Sequence, residues 1–234
     1  HLAYILLKDE EWSNKLAEIN TKIASLLDKL PIQEKAKELI PVCEHIIDVY
    51  NVLYYSGYSN AGSKTISIFH PRDGRVQMEK GSRKLMFYNS TKAKFDIIMK
   101  PIADLLITKE QAQEVTFDAF FINNLFYEVA DAIAINKTLK GERVKDLLRG
   151  SFTTMDGLRA DMLRMFLMTE YMNITNASDE EYISMYATFF TNSFRSIRFG
   201  ATHAQGIANV ICVNQFIENG GLILQEDGTY KINL

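Results

Sequence analysis

Cysteine is scarce in this chain of 234 residues, which has only Cys43 and Cys212. Two thiols so far apart, with no second cysteine or ligand cluster beside either, exclude a disulfide framework and a cysteine-based zinc finger. We expect buried free thiols in a reducing compartment, and hence a cytoplasmic protein. No apolar run reaches the roughly 18 residues of a membrane span. The first residues lack a methionine and a basic lead, so we expect no signal peptide and a chain cut from something longer.

A basic excess is also missing, because 26 lysine and arginine residues stand against 29 aspartate and glutamate residues, for a net charge of −3. Proteins that bind nucleic acid or anionic membranes usually carry a basic surplus or stripe. We therefore expect neither nucleic acid nor a membrane as a partner. Hydrophobic residues make up 47% of the chain, and a chain of this length buries roughly 70–75% of its unfolded surface. A sizeable core without disulfides is therefore expected.

Strand-like segments are concentrated before residue 90, and helical spacing dominates after it. The first predicted helix follows residues 8–11, has acids in its first turn, carries its apolar residues from Leu16 to Leu30 and ends before Pro31. The other predicted elements of the first part are a short helix over 33–40, strands at 46–58, 65–69 and 84–88, and a turn at 72–75. The predicted helices of the second part are 92–107, 109–135, 142–149, 152–173, 178–193 and 195–219. A hairpin around Asp227-Gly228 follows at 222–232.

This order predicts an α+β fold that is mainly helical. We interpret 1–234 as one domain, with a strand-rich part at 1–90 and a helical part at 91–234.

One predicted helix places acidic residues among aromatic ones. The segment 120–133 carries Glu128 and Asp131 beside several phenylalanines, and a carboxylate in apolar surroundings is costly unless it has partners. The spacing matches H-E-x-x-H, in which residues i and i+4 bind zinc and the glutamate activates water. Here the two histidine positions hold Tyr127 and Asp131, and only the glutamate is present. Taken alone, this is not a motif.

The sequence around this segment indicates a family resemblance. The informative stretches are 115–121 running into 127–131, 155–161, 194–201 continuing to 208–209, and 79–82 followed by 92–95. With these stretches in this order, the chain resembles the dipeptidyl peptidase III family, zinc exopeptidases that release dipeptides. The resemblance implies that this chain has the fold of the family's zinc-binding helical lobe, together with part of its strand-rich lobe.

The resemblance also implies where the family's zinc site would fall. The two ligand histidines correspond to Tyr127 and Asp131, the general base to Glu128, and the third ligand, a glutamate on a second helix, to Gly157. Zinc in a catalytic site needs three suitable protein ligands and an open position. A phenol is a rare ligand and glycine has no side chain, so the family's zinc site is expected to be lost.

Other family positions are altered as well. The acid after the third ligand survives as Asp161, and Asp156 precedes the glycine. The histidine that helps to stabilise the tetrahedral intermediate corresponds to Gln205, and His203 lies two positions away from that place on the helix. The substrate-holding N-x-P-N segment corresponds to 69–72, where both amides are replaced.

These losses predict a catalytically inactive relative, a pseudopeptidase that binds peptides or a protein and needs no cofactor. One alternative is a metal-dependent peptidase or hydrolase with a rebuilt site. Another is a subunit that completes its site with a second chain, because the family's catalytic unit extends beyond this sequence on both sides. The oligomeric state is left open.

The candidate residues have more than one interpretation. Glu128 and Asp161 are relic carboxylates, neutral or hydrogen-bonded to Tyr127 and Arg159, or part of an all-oxygen site for Mg²⁺ or Ca²⁺. That weaker alternative comprises Glu128, Asp131, Asp156 and Asp161.

Two arginines near residue 197 also have two interpretations. Arg195 and Arg198 either pair with acids across the core at a helix start, or clamp a peptide carboxylate. The candidate binding residues are Arg195, Arg198, Gln205 and Asn209.

Overall fold

The computed structural model describes residues 2–40, 45–62, 64–70 and 82–234. The chain divides into two compact units, one of His1–Asp28 with Val42–Lys94 and the other of Lys29–Pro41 with Phe95–Leu234. The predicted turn at 72–75, the side chains of the 69–72 segment and Cys43 lie outside the described part.

The first unit is built on a four-stranded sheet with the order β1-β2-β4-β3. Its elements are β1 (Leu2–Lys8), α1 (Glu10–Asp28), β2 (His45–Gly57), β3 (Ser67–His70), β4 (Ser82–Phe87) and α3 (Tyr88–Lys94). The β2–β4 pair is parallel, and the other two pairs are antiparallel. Helix α1 buries an apolar stripe that includes Leu16 and Leu26, and the Ser13 hydroxyl accepts a hydrogen bond from the Val49 N–H at 3.0 Å.

The second unit consists of helices and one short hairpin. Its elements are α2 (Glu34–Lys37), a π-helical turn (Phe95–Met99), α4 (Lys100–Leu106), α5 (Lys109–Ala112), α6 (Phe117–Ala132), α7 (Val144–Leu148), α8 (Phe152–Thr175), α9 (Asp179–Ile197), α10 (Ala204–Glu218), β5 (Leu222–Leu224) and β6 (Tyr230–Ile232). Helices α6, α8, α9 and α10 pack against one another. A capping box of Ser178 and Glu181 begins α9, and this is a common way to satisfy the first N–H groups of a helix.

The predicted fold class, α+β and mainly helical, is confirmed. The hairpin around Asp227-Gly228 is present as β5 and β6. The helix expected over 109–135 is instead two helices, because Thr116 caps a new helix by accepting a hydrogen bond from the Ala119 N–H. The boundary expected between 193 and 195 is wrong, since α9 continues to Ile197. The division of one domain at residue 90 stays a prediction.

Within the described residues, no helix combines the length and the apolar character that crossing a membrane requires.

Candidate functional site

The three residues of α6 that correspond to the family's zinc motif differ in burial. Tyr127 is half-buried, Glu128 is only 8% exposed, and Asp131 is exposed. The helix is held in the interior by its aromatic residues, of which Phe120, Phe121 and Phe126 are buried. This burial fixes the rotation of α6 about its axis, and with it the depth of each polar side chain.

Asp161 on α8 is the centre of a buried polar cluster. Its carboxylate is 2% exposed and accepts three hydrogen bonds of 2.8 Å, from Arg164 Nη2, Gln205 Nε2 and Asn209 Nδ2. Two of these donors lie on α10, so the carboxylate ties α8 to α10. A buried charge is tolerated only where partners replace its lost hydration, and this one has a guanidinium and two amides.

Arg164 extends the cluster to two further helices. This side chain is 1% exposed, and its guanidinium carbon lies 5.5 Å from the Tyr127 ring centre on α6 and 4.6 Å from that of Phe189 on α9. Cations at such distances over an aromatic face are attracted to it. Arg164 is not among the residues predicted for the site, although its position three residues after Asp161 on a helix is a usable signal.

The expected partner of Asp161 is therefore wrong. Arg159 does not bind it, because Arg159 Nε donates to Asp156 Oδ1 at 2.9 Å and Arg159 Nη1 donates to the Ala130 carbonyl at 2.8 Å. Arg159 thereby links α8 to α6 independently of Asp161.

Gly157 lies directly against Gln205. A Cβ at position 157 would lie 2.8 Å from Gln205 Oε1 and 3.6 Å from the Cβ of Ala208. Real Cβ atoms essentially never approach a neighbour within 3.0 Å. The Gln205 amide thus occupies the space into which a side chain at 157 would extend, while its Nε2 is held by Asp161.

The electrostatics of the cluster keep its phenol protonated. Burial, and then the negative charges of Asp161 and Asp131, raise the pKa of Tyr127 to about 12. Burial also raises the pKa of Asp161, against the lowering effects of Arg164, Asn209 and Gln205. Cys212 is a buried free thiol, as expected, and burial raises its pKa to about 12.

The raised pKa of Tyr127 predicts a pH effect on stability. In the folded state the phenol titrates near pH 12, and in the unfolded chain near pH 10. The contribution of the protonated phenol to the free energy of unfolding is therefore fully present below pH 10 and is lost as the pH rises towards 12. We expect Tyr127→Phe to lose less free energy of unfolding between pH 9 and 11 than the native protein, as measured by urea denaturation. The exposed Tyr58 supplies the control Tyr58→Phe, and an equal effect of both variants would contradict the assignment.

The described residues do not form a conventional metal site. Among residues 2–40, 45–62, 64–70 and 82–234, no three Asp, Glu, His or Cys side chains come together in a way that could hold an ion. The weak four-acid site of Glu128, Asp131, Asp156 and Asp161 is therefore not formed.

The side chains at the positions that correspond to the family's zinc ligands do not fit a zinc ion either. Tyr127 keeps its proton at neutral pH, Asp131 is exposed, and the space beside Gly157 is filled. Zinc prefers thiolate, imidazole or carboxylate ligands with tetrahedral geometry. These positions offer one carboxylate, one neutral phenol and no third group.

Arg195 and Arg198 lie at the end of a helix, so the expected helix start is wrong. Arg195 is half-buried in the last turn of α9, and its Nε donates to Asn192 Oδ1 at 2.9 Å. Arg198 caps the helix, is exposed, and lies with its guanidinium carbon 4.8 Å from the Phe199 ring centre. The expected pairing with acids is wrong too, because neither arginine forms an ion pair with a described residue.

The four candidate binding residues thus fall into two groups. Gln205 and Asn209 both donate to Asp161, and Asn209 is 2% exposed. Arg195 and Arg198 lie together near the junction of α9 and α10.

Comparisons with known proteins place these features in a family context. No family model matches the chain. A curated relative, Nudix hydrolase 3 from Arabidopsis thaliana, is 30% identical over 234 residues, which are 98% of this chain and 30% of that protein. The structure of dipeptidyl peptidase III from Caldithrix abyssi matches 99% of this chain with a TM-score of 0.91 and 29% identity, over 45% of its own length. That of Corallococcus sp. strain EGB matches 99% with a TM-score of 0.84 and 30% identity, over 44% of its length.

The resemblance to dipeptidyl peptidase III is confirmed, in fold and in sequence. The chain spans less than half the length of these two structures and less than a third of the curated relative.

Proposed function

We propose that this chain is a catalytically inactive relative of a zinc dipeptidyl peptidase, which works without zinc as a peptide- or protein-binding module. The observation that carries the proposal is the contact of Gly157 with Gln205. The third ligand position has no side chain, and an amide held by Asp161 fills the space beside it. This arrangement supports the replacement of a metal centre by a hydrogen-bonded cluster.

The chemistry of peptide cleavage supports inactivity. Zinc supplies a nucleophile at neutral pH by lowering the pKa of its bound water from 15.7 to about 7. Without such a metal, a carboxylate is too weak a base to ionise water. A positioned electrophilic group alone is commonly worth 10²–10³ in rate, and the Gln205 position has also lost its histidine relative to the family pattern.

Retention of the scaffold supports a binding role. The helices that carry the cluster remain packed, and the cluster itself replaces the metal with a guanidinium–carboxylate pair and two amide donors. Short peptides are the ligand class that the family resemblance suggests. The cytoplasmic location expected from the sequence stays a prediction.

Two assays on the purified protein test the proposal. We expect no release of arylamine from a dipeptidyl-arylamide, with or without added Zn²⁺, and saturable binding of short peptides by calorimetry. Release that disappears in Glu128→Ala would contradict inactivity and favour the rebuilt hydrolase. Activity that appears only on addition of a second chain, together with co-elution in gel filtration, would favour the shared-site alternative.

A further inference from the structure

Arg195 and Arg198 place two positive charges at the junction of α9 and α10, and no described residue supplies a counter-charge. Arg195 is half-buried, Arg198 is exposed, and within the described part of the chain neither is paired with a carboxylate. Arg164 is close by but is already paired with Asp161. Burial, and then the charges of Arg198 and Arg164, lower the pKa of Arg195. A half-buried cation beside other cations is unfavourable unless an anion joins it.

Each of the two arginines makes one contact that restrains its guanidinium. Arg195 Nε donates to Asn192 Oδ1 at 2.9 Å, which leaves the terminal nitrogens of the guanidinium for another acceptor. The Arg198 guanidinium lies over the Phe199 ring at 4.8 Å. Guanidinium groups held in this way lose less freedom when they bind a planar acceptor.

The first turn of α10 adjoins this pair. A Cβ at Gly206 would lie 2.5 Å from the Gly200 carbonyl oxygen and 3.6 Å from that of Ser196, so the backbones of the two helix ends are in direct contact. Gly206 is thereby required by the close approach. His203 is the N-cap residue that precedes α10, and its side chain makes no hydrogen bond to the first N–H groups of the helix. Free N–H groups at a helix start favour negative charge.

We propose that the end of α9 and the start of α10 form a carboxylate-binding site, which takes the C-terminal carboxylate of a short peptide between Arg195 and Arg198. The inference rests on the proposed peptide-binding function and deepens it by naming the group that is recognised. Arginine matches a carboxylate with two parallel hydrogen bonds. Phosphate shares this oxyanion chemistry, and the experiment separates the two sources.

The test compares tetraalanine with a free carboxyl terminus, tetraalanine amide and inorganic phosphate, each titrated into the full protein by calorimetry. We expect tetraalanine with a free carboxyl terminus to bind most tightly of the three. Arg195→Gln or Arg198→Gln should lower its affinity by about tenfold or more, as the loss of a charge-assisted hydrogen bond implies. Binding of the amide should not change. Arg143→Gln is the matched control, because Arg143 is an exposed arginine paired with Asp146 on α7.

Each other outcome has a defined meaning. Equal binding of acid and amide, unchanged in both arginine variants, overturns the carboxylate site but leaves peptide binding intact. Phosphate bound more tightly than the acid, and lost in Arg195→Gln, overturns the peptide assignment. Binding of none of the three probes overturns the site as well as the peptide-binding role. Arg198 is exposed, so Arg198→Gln tests the site even where an Arg195 variant fails to fold.

Discussion

Replacing Asp161 by alanine is expected to lower the free energy of unfolding by about 3–5 kcal/mol, the usual cost of removing one partner of a buried ion pair. The variant leaves the Arg164 guanidinium, which is 1% exposed, without the carboxylate that lies 2.8 Å away. It also removes the acceptor of Gln205 and of Asn209. Urea denaturation followed by circular dichroism measures the change.

Asp156→Ala is the matched control for this prediction. Asp156 forms the same i,i+3 pair on the same helix, with Arg159 at 2.9 Å, but both side chains are about one-third exposed. An exposed pair of this kind contributes about 0–1 kcal/mol. The double variant Asp161→Ala/Arg164→Met should recover part of the loss, because an apolar replacement of a whole buried pair is often neutral. Equal losses in the Asp161 and Asp156 variants would contradict the central place of the buried cluster.

Restoring the family's pattern at four positions is expected to create a zinc site. Tyr127→His, Asp131→His and Gly157→Glu supply three ligands, and Gln205→His removes the amide that lies 2.8 Å from the added Cβ. Outer-shell partners alone are commonly worth 10–100-fold in metal affinity, so three ligands should raise zinc affinity by at least about a hundredfold. Competition with a chromophoric chelator measures this gain.

The triple variant that keeps Gln205 distinguishes two effects on zinc binding: the supply of three ligands, and the space that the Gln205 amide occupies beside position 157. With Gln205 in place, the carboxylate introduced at 157 must displace the amide from its hydrogen bond with Asp161, so we expect weaker zinc binding and a lower free energy of unfolding. Zinc affinity that is the same with and without Gln205→His would show that the amide is not the obstacle.

Much of the fold could be predicted from the sequence because it depends on local signals. The helical spacing of Leu16 and Leu26 and the Asp227-Gly228 turn each act within one element, and the structure contains both elements. The end of α9 was predicted too early, although Gly200, which follows it with a φ of +71°, is the kind of residue that marks a helix end. The break at Thr116 was missed because a capping threonine between two segments of helical spacing looks like continued helix.

The residues at the family's site positions could be identified from the sequence, but their contacts could not. The positions of Tyr127, Asp131 and Gly157 could be inferred from spacing and from the family resemblance. The hydrogen bonds around Asp161 could not be inferred, because Gln205 and Asn209 lie more than 40 residues from it in sequence and meet it only after α8 and α10 pack. Long-range polar contacts of this kind leave no periodic signal along the chain.

The central claim, that a hydrogen-bonded cluster stands where the family places zinc, is tested most directly by the zinc content of the native protein, purified without chelator and dialysed against Zn²⁺. We expect elemental analysis to find no stoichiometric zinc, and a chelator to leave the thermal unfolding midpoint unchanged. One zinc ion per chain, lost together with stability on chelation and also lost in Asp131→Ala, would contradict the claim.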